Sequence, residues 1–153
     1  MRTRDGARAR CNVRIVVGDE RTGEERVVET HNLVVDAGLD LIRDRIRGAS
    51  NAFLTHVAFG SDATAPDAGQ TELGAEVARY AFEQAPSSGA GSLEYTYYLP
   101  SGTGNLGLLS EVGILTASVA GTMYARATFA TIDKTGSTYV KVVWELEWTD
   151  DGA

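Results

Sequence analysis

Ser137-Thr138-Tyr139-Val140-Lys141-Val142-Val143-Trp144-Glu145-Leu146-Glu147-Trp148-Thr149 is the stretch on which the fold turns. Val140, Val142, Trp144, Leu146 and Trp148 fall on one side of an extended strand, while Lys141, Glu145 and Glu147 interrupt the other. Strict alternation marks a strand with one face in a core and the other in water or against a partner. Working outward, strands are expected over 108–115 and 122–131, with Ala120-Gly121 and Lys134-Thr135-Gly136-Ser137 as turns. Leu93, Tyr95, Tyr97 and Leu99 share one face of a further strand, followed by a Gly-rich loop from Pro100 to Gly107.

The first third of the chain reads differently. Cys11 to Val17 alternates, Gly18 to Glu24 supplies turn chemistry, and Arg26 to Val34 resumes β-favouring residues, which predicts a hairpin with a charged tip. Asp36 is placed to cap a helix running through Arg47, stopped by Gly48. Leu39, Ile42 and Ile46 share one face of it, with Leu41 to the side, and Arg43, Arg45 and Arg47 complement the dipole at its end. Asp40 and Asp44, interspersed along the same helix, make this a solvated face rather than a nucleic-acid element. Phe53 to Gly60 reads as a buried strand and 61–69 as a surface loop. A short turn is expected over 71–76, a strand from Val77 to Glu83, and a flexible connection over 86–92. The fold class is therefore mainly β, an antiparallel β-sandwich with one packed α-helix. A single domain is expected over 11–149, with a basic, flexible arm over 1–10 and a short C-terminal tail over 150–153.

With 153 residues, the chain buries enough surface to fold without staples. Its single cysteine, Cys11, sits in the alternating run and reads as a small buried hydrophobe. His31 and His56 lie far apart without a nearby cysteine, and Asp62 and Asp67 lack the glycine and closing glutamate of a calcium loop. No metal or other cofactor is expected. A net charge of −7 argues against a nucleic-acid footprint, apart from contact by Arg2, Arg4, Arg8 and Arg10 in the basic arm. The sequence shows no apolar run of membrane-spanning length and no signal-peptide core, so synthesis as a soluble cytoplasmic chain is expected.

Candidate polar groups are few. Glu76 and Glu111 each stand among apolar residues, where a charge is costly unless paired. They are expected to act as structural anchors by pairing with Arg79 and Arg126 or by accepting backbone N–H bonds. His56 has no evident partner as a general base, and Gly102-Thr103-Gly104 lacks the Lys-Ser/Thr ending of a phosphate loop, so no enzymatic activity is expected. Tyr139, Trp144 and Trp148 are candidate interface residues, because aromatic rings bury large area at contacts.

The Gly-punctuated phrases of the chain, taken in order, resemble the small β-rich virion proteins of tailed bacterial and archaeal viruses, particularly tail-collar and fibre-attachment domains. They are Asn32 through Gly38 entering the helix, Ala58-Phe59-Gly60, Thr71/Leu73/Glu76/Arg79, Glu111-Val112-Gly113-Ile114, and Gly121-Thr122-Met123 with Ala125-Arg126, then Lys134 before the last strand. The likeness spans roughly residues 12–148. It implies a structural component of a virion that acts by docking to other virion proteins and to sister subunits, as a homo-oligomer, in a tail, collar, baseplate or fibre-attachment position. A capsid decoration or spike-base protein is the alternative within that class, and a glycan-binding β-sandwich is the more distant one.

Overall fold

Valine, isoleucine and aromatic residues at alternate positions commit most of this chain to strands, and the computed structural model, which describes residues 7–150, arranges them in two five-stranded antiparallel sheets. In chain order the elements are β1 (Ala7–Asp19), β2 (Glu25–Val28), β3 (Thr30–Val34), α1 (Asp36–Ile46), β4 (His56–Gly60), β5 (Glu76–Ala81), β6 (Ser87–Gly89), β7 (Ser92–Leu99), β8 (Gly107–Leu115), β9 (Met123–Lys134) and β10 (Thr138–Asp150). One sheet has the order β2-β1-β10-β7-β6, the other β3-β9-β8-β4-β5. The architecture is a β-sandwich with one helix, as the alternation predicts.

The inward faces of the two sheets form one core. Val140, Val142, Trp144 and Leu146 of β10 meet Val57 and Phe59 of β4, Val112 and Ile114 of β8, and Ala125, Ala127 and Phe129 of β9. Tyr80 and Tyr97 stack within it with ring centroids 5.4 Å apart, and Phe82 lies 5.0 Å from Tyr95. Trp144 is fully buried, so it is a core residue and not the interface anchor its aromatic character suggested. The apolar row of β10 is likewise interior rather than a contact face.

Several boundaries differ from the sequence reading; β4 begins at His56, so Phe53, read as part of a buried strand, lies outside it and is exposed. Ala7 to Arg10 belong to β1, held in register from Ala7↔Asp150 onward, so the expected arm over 1–10 is in part strand. Arg2 and Arg4 lie outside the described residues, as do 151–153 of the expected tail. The stretch read as one strand from Arg26 to Val34 breaks at Glu29: β2 pairs with β1 in one sheet and β3 with β9 in the other. Once β2 has left, Thr30 and Asn32 cap the carbonyls of Val13 and Cys11 with side-chain donors, which closes that edge of the sandwich. The short turn expected over 71–76 is a run of bends leading into β5 at Glu76, and the flexible connection contains the short strand β6.

The helix is seated by a different face from the one expected. Its N-cap is Val35 without a side-chain cap, Asp36 being already the first helical residue. Gly38 is the buried contact, because a Cβ there would overlap the main-chain carbonyl of Tyr124. Leu41 and Ile42 pack on the core, while Leu39 is 46% and Ile46 83% exposed.

Candidate functional site

Sheet parity puts the notable charges on the outer face of the second sheet. In β8, Val112 and Ile114 point into the sandwich, so Glu111 and Gly113 point out; in β9 the same alternation turns Arg126 outward. Both Glu111 and Arg126 are nevertheless fully buried, because residues 61–75 fold over this face. Beneath that loop Leu73 joins Val35, Ala58, Leu115 and Met123 in a second, smaller apolar cluster.

The ion pair holds the loop down. Glu111 accepts Arg126 Nε–H at 2.7 Å on Oε2, which also takes the Gly74 N–H at 3.0 Å. Its Oε1 takes the N–H groups of Ala75 at 2.7 Å and Asp62 at 3.3 Å. Arg126 in turn donates to the carbonyls of Thr64 at 2.8 Å and Asp62 at 3.1 Å, and to Gln70 Oε1 at 3.2 Å. Every carboxylate oxygen and each terminal guanidinium nitrogen is thus engaged, the condition under which a buried pair is tolerated. Asp62, at 3.8 Å from Arg126, carries a carboxyl lowered from the usual range first by the N–H of Thr64 and only lastly by the guanidinium.

The Gly-punctuated phrases meet here. A Cβ on Gly60 would overlap Glu111 Oε1 and stand 2.6 Å from the Ala75 carbonyl, and one on Gly113 would stand 2.9 Å from Leu73 Cδ2. Glycine at those positions lets loop and carboxylate approach the strand backbone. Phrases separated by some fifty residues in sequence are therefore parts of one packed unit, joined by contacts that no single phrase reveals.

Two further cations fasten loops in the same way. Arg79, its side chain only 11% exposed, pairs with Glu76 at 2.6 Å and donates to the carbonyls of Ala117 at 2.9 Å and Ala120 at 2.8 Å. It thereby holds the turn between β8 and β9, where Ala120 adopts a left-handed φ of 52°. Glu76 itself is exposed, which corrects the expectation of a buried anchor: its neighbour Val77 also faces solvent on this edge strand. Lys134 is fully buried, its three N–H groups shared among the carbonyls of Ser101, Thr103, Gly104 and Thr135, which lie 3.1–3.4 Å from Nζ. Burial lowers its ammonium from the ordinary lysine value, opposed by Glu20. Sequence reasoning placed Lys134 only as a phrase before the last strand; its Gly-rich partner loop, far off in sequence, was the missing signal.

The other predicted residues are dispersed. Tyr139 lies on the outer face of the first sheet, its ring filling the space a Gly18 side chain would take and 5.6 Å from that of Tyr98, and its hydroxyl donates to Glu25 at 2.5 Å. Trp148 sits half-buried between α1 and Tyr124. His56 Nδ1 and the Thr55 hydroxyl are 2.7 Å apart, and no nucleophile–carboxylate arrangement adjoins them among the described residues. Nor does any group of His, Cys, Asp and Glu there converge as metal ligands, and no helix there is long and apolar enough to cross a membrane. Cys11 is buried against Asn32, and desolvation raises its thiol to about 11.

Comparison with protein-family models, with curated proteins and with solved structures finds no match to this chain.

Proposed function

We propose that the protein is a structural component of a tailed-virus particle, in a tail, collar, baseplate or fibre-attachment position, and that it works by docking to other virion proteins and sister subunits rather than by a chemical step. The observation that carries this reading is that three cations, Arg126, Arg79 and Lys134, spend their donors on main-chain carbonyls of the loops over 61–75, 116–121 and 101–104. Loops tied in this way lose little freedom when a neighbour settles on them, which is the advantage of a pre-organised contact surface. The same hydrogen bonds leave Glu111 and Arg126 no capacity for proton transfer or anion capture. The ordered phrases that resemble collar and fibre-attachment domains are the ones that build these ties.

Quantitative mass spectrometry of purified particles, combined with cross-linking, tests the proposal. Multiple copies per particle, with cross-links from the loops over 61–75 and 100–106 to other virion proteins, are expected. Absence from particles overturns it.

A further inference from the structure

The two flanks of the sandwich are finished differently. On one, Thr30 and Asn32 of β3 donate side-chain hydrogen bonds to the carbonyls of Val13 and Cys11 in β1, which ties the two sheets together. On the other, the second sheet ends at β5, with β4 on one side of it and no strand on the other. The Phe82 N–H bonds the Thr55 carbonyl at 2.9 Å, so antiparallel alternation turns the main-chain groups of Ala78, Tyr80 and Phe82 to β4 and those of Arg79 and Ala81 outward. No turn or loop among the described residues takes up these outward N–H and C=O groups. At six residues β5 is longer than the edge strands β2 and β6, of four and three, and it carries neither proline nor lysine to guard it. Val77 is 45% exposed and Ala81 is exposed, so the described residues leave this edge open.

The undescribed residues do not reach it. Tyr80 stacks on Tyr97, which is level with Val142 and Ile15, and Ile15 lies eight positions along β1 from Ala7. Eight positions are roughly 26 Å, with two strand spacings still to cross, whereas six fully extended residues span at most about 21 Å. Residues 1–6 therefore fall short of the β5 edge, and 151–153 fall shorter.

An open strand edge takes an extended chain, and the sequence of β5 identifies which. Antiparallel pairing of β5 with a second copy, about a two-fold axis at Tyr80, sets Arg79 of one copy opposite Ala81 of the other and Ala78 opposite Phe82. Each large side chain then meets an alanine, and Arg79 and Ala81 are the residues whose outward main-chain groups must meet. Moving the axis to Arg79 would set arginine against arginine, and moving it to Ala81 would need Glu83, where the chain has already bent away from the strand. We propose that two copies of this chain pair through β5 and join their second sheets into one continuous sheet of ten strands. This inference deepens the docking reading and rests on it for a sister subunit being the partner.

Sedimentation velocity of the full chain over a concentration series reads the self-association, and a dimer is expected. Ala81→Pro removes an N–H that β4 does not use, so the fold is kept while two symmetry-related hydrogen bonds are lost, and the dimer is expected to weaken at least ~10-fold. Ala81→Cys gives an independent reading at an exposed position. The two introduced thiols stand about 8 Å apart across the paired edge, one strand spacing over and two residues along, within the span of a short bismaleimide. Cys11 is buried and its thiol is raised to about 11, so it stays unreacted. A cross-linked dimer is expected from Ala81→Cys and none from the unaltered chain. A monomer at every concentration overturns the proposal, as does a dimer undiminished by Ala81→Pro or the absence of cross-linking through position 81. A monomer whose entry into particles is abolished by Ala81→Pro gives the edge to a strand of a different protein. Dimers cross-linked through position 81 in a protein missing from particles remove the virion reading and keep the edge. Presence in particles without that cross-link removes the edge and keeps the virion reading.

Discussion

Glu111→Gln is the most informative single perturbation of this protein. The change is nearly isosteric, so it leaves no cavity, but it removes the charge facing Arg126 and turns one oxygen into an amide NH₂. That NH₂ then confronts either the Arg126 and Gly74 donors on one side or the Ala75 and Asp62 donors on the other. Because both partners are fully buried, Arg126 is left as an uncompensated internal charge, a class of change that costs about 3–5 kcal/mol. With a urea slope of about 2 kcal/mol/M for a domain of this size, the unfolding midpoint falls by roughly 1.5–2.5 M. The double variant Glu111→Leu/Arg126→Met removes both charges, and the freed N–H groups of Gly74 and Ala75 can turn to water because those residues are exposed. It should therefore cost clearly less than the sum of the single changes, the signature of coupling in a double-mutant cycle. Amide exchange over 61–75 should quicken in the single variant before global unfolding. A loss below ~1 kcal/mol for Glu111→Gln, or additive single effects, would refute the clamp.

Other outcomes follow from the same geometry. Gly38→Ala drives a methyl into the Tyr124 carbonyl and should cost about 1–3 kcal/mol, read from denaturation midpoints. Lys134→Met leaves four carbonyls without their donor, so a loss of about 1.5–3 kcal/mol with faster amide exchange over 101–104 is expected. Ala120→Gly relieves the left-handed backbone at φ 52° and should stabilise by up to about 1 kcal/mol in the same assay. Burial raises the Tyr97 hydroxyl to about 12 from an unfolded value of 10.0, so the folded state keeps a proton the unfolded chain has lost. Its contribution is complete below pH 10 and declines as pH rises towards about 12, observable as late growth of the phenolate absorbance together with falling stability.

Strands and their burial were legible because alternation is local: Cys11, Val13, Ile15 and Val17 reveal their shared face without reference to any other part of the chain. The break at Glu29 was not, since β2 and β3 carry the same β-favouring residues and only the demand for a neighbour assigns them to different sheets. The helix was legible in position but not in orientation. Hydropathy follows Leu39, Ile42 and Ile46, whereas close approach to β9 is set by the absence of a side chain at Gly38, which no hydropathy scale registers. Of the charged anchors, Glu111 and Arg126 gave themselves away by standing within apolar strands. Glu76 stands in similar surroundings but on an edge, and sequence cannot tell an edge strand from a central one. The aromatic residues of β10 show the same ambiguity: Trp144 is as suitable for an interface as for a core, and the partner sheet decides.

The pairing of β1 with β10 has a mechanical consequence. The two strands run antiparallel through thirteen paired positions, and Ala7 lies opposite Asp150, so both described ends leave the sandwich side by side. Tension applied between those ends bears on a single rung at a time and peels the strands apart in succession, instead of shearing all the rungs together. Resistance to pulling is therefore poor along the line joining the ends. A neighbour that must transmit force through this protein does so best by gripping the tied loops, where the load is spread over several hydrogen bonds at once.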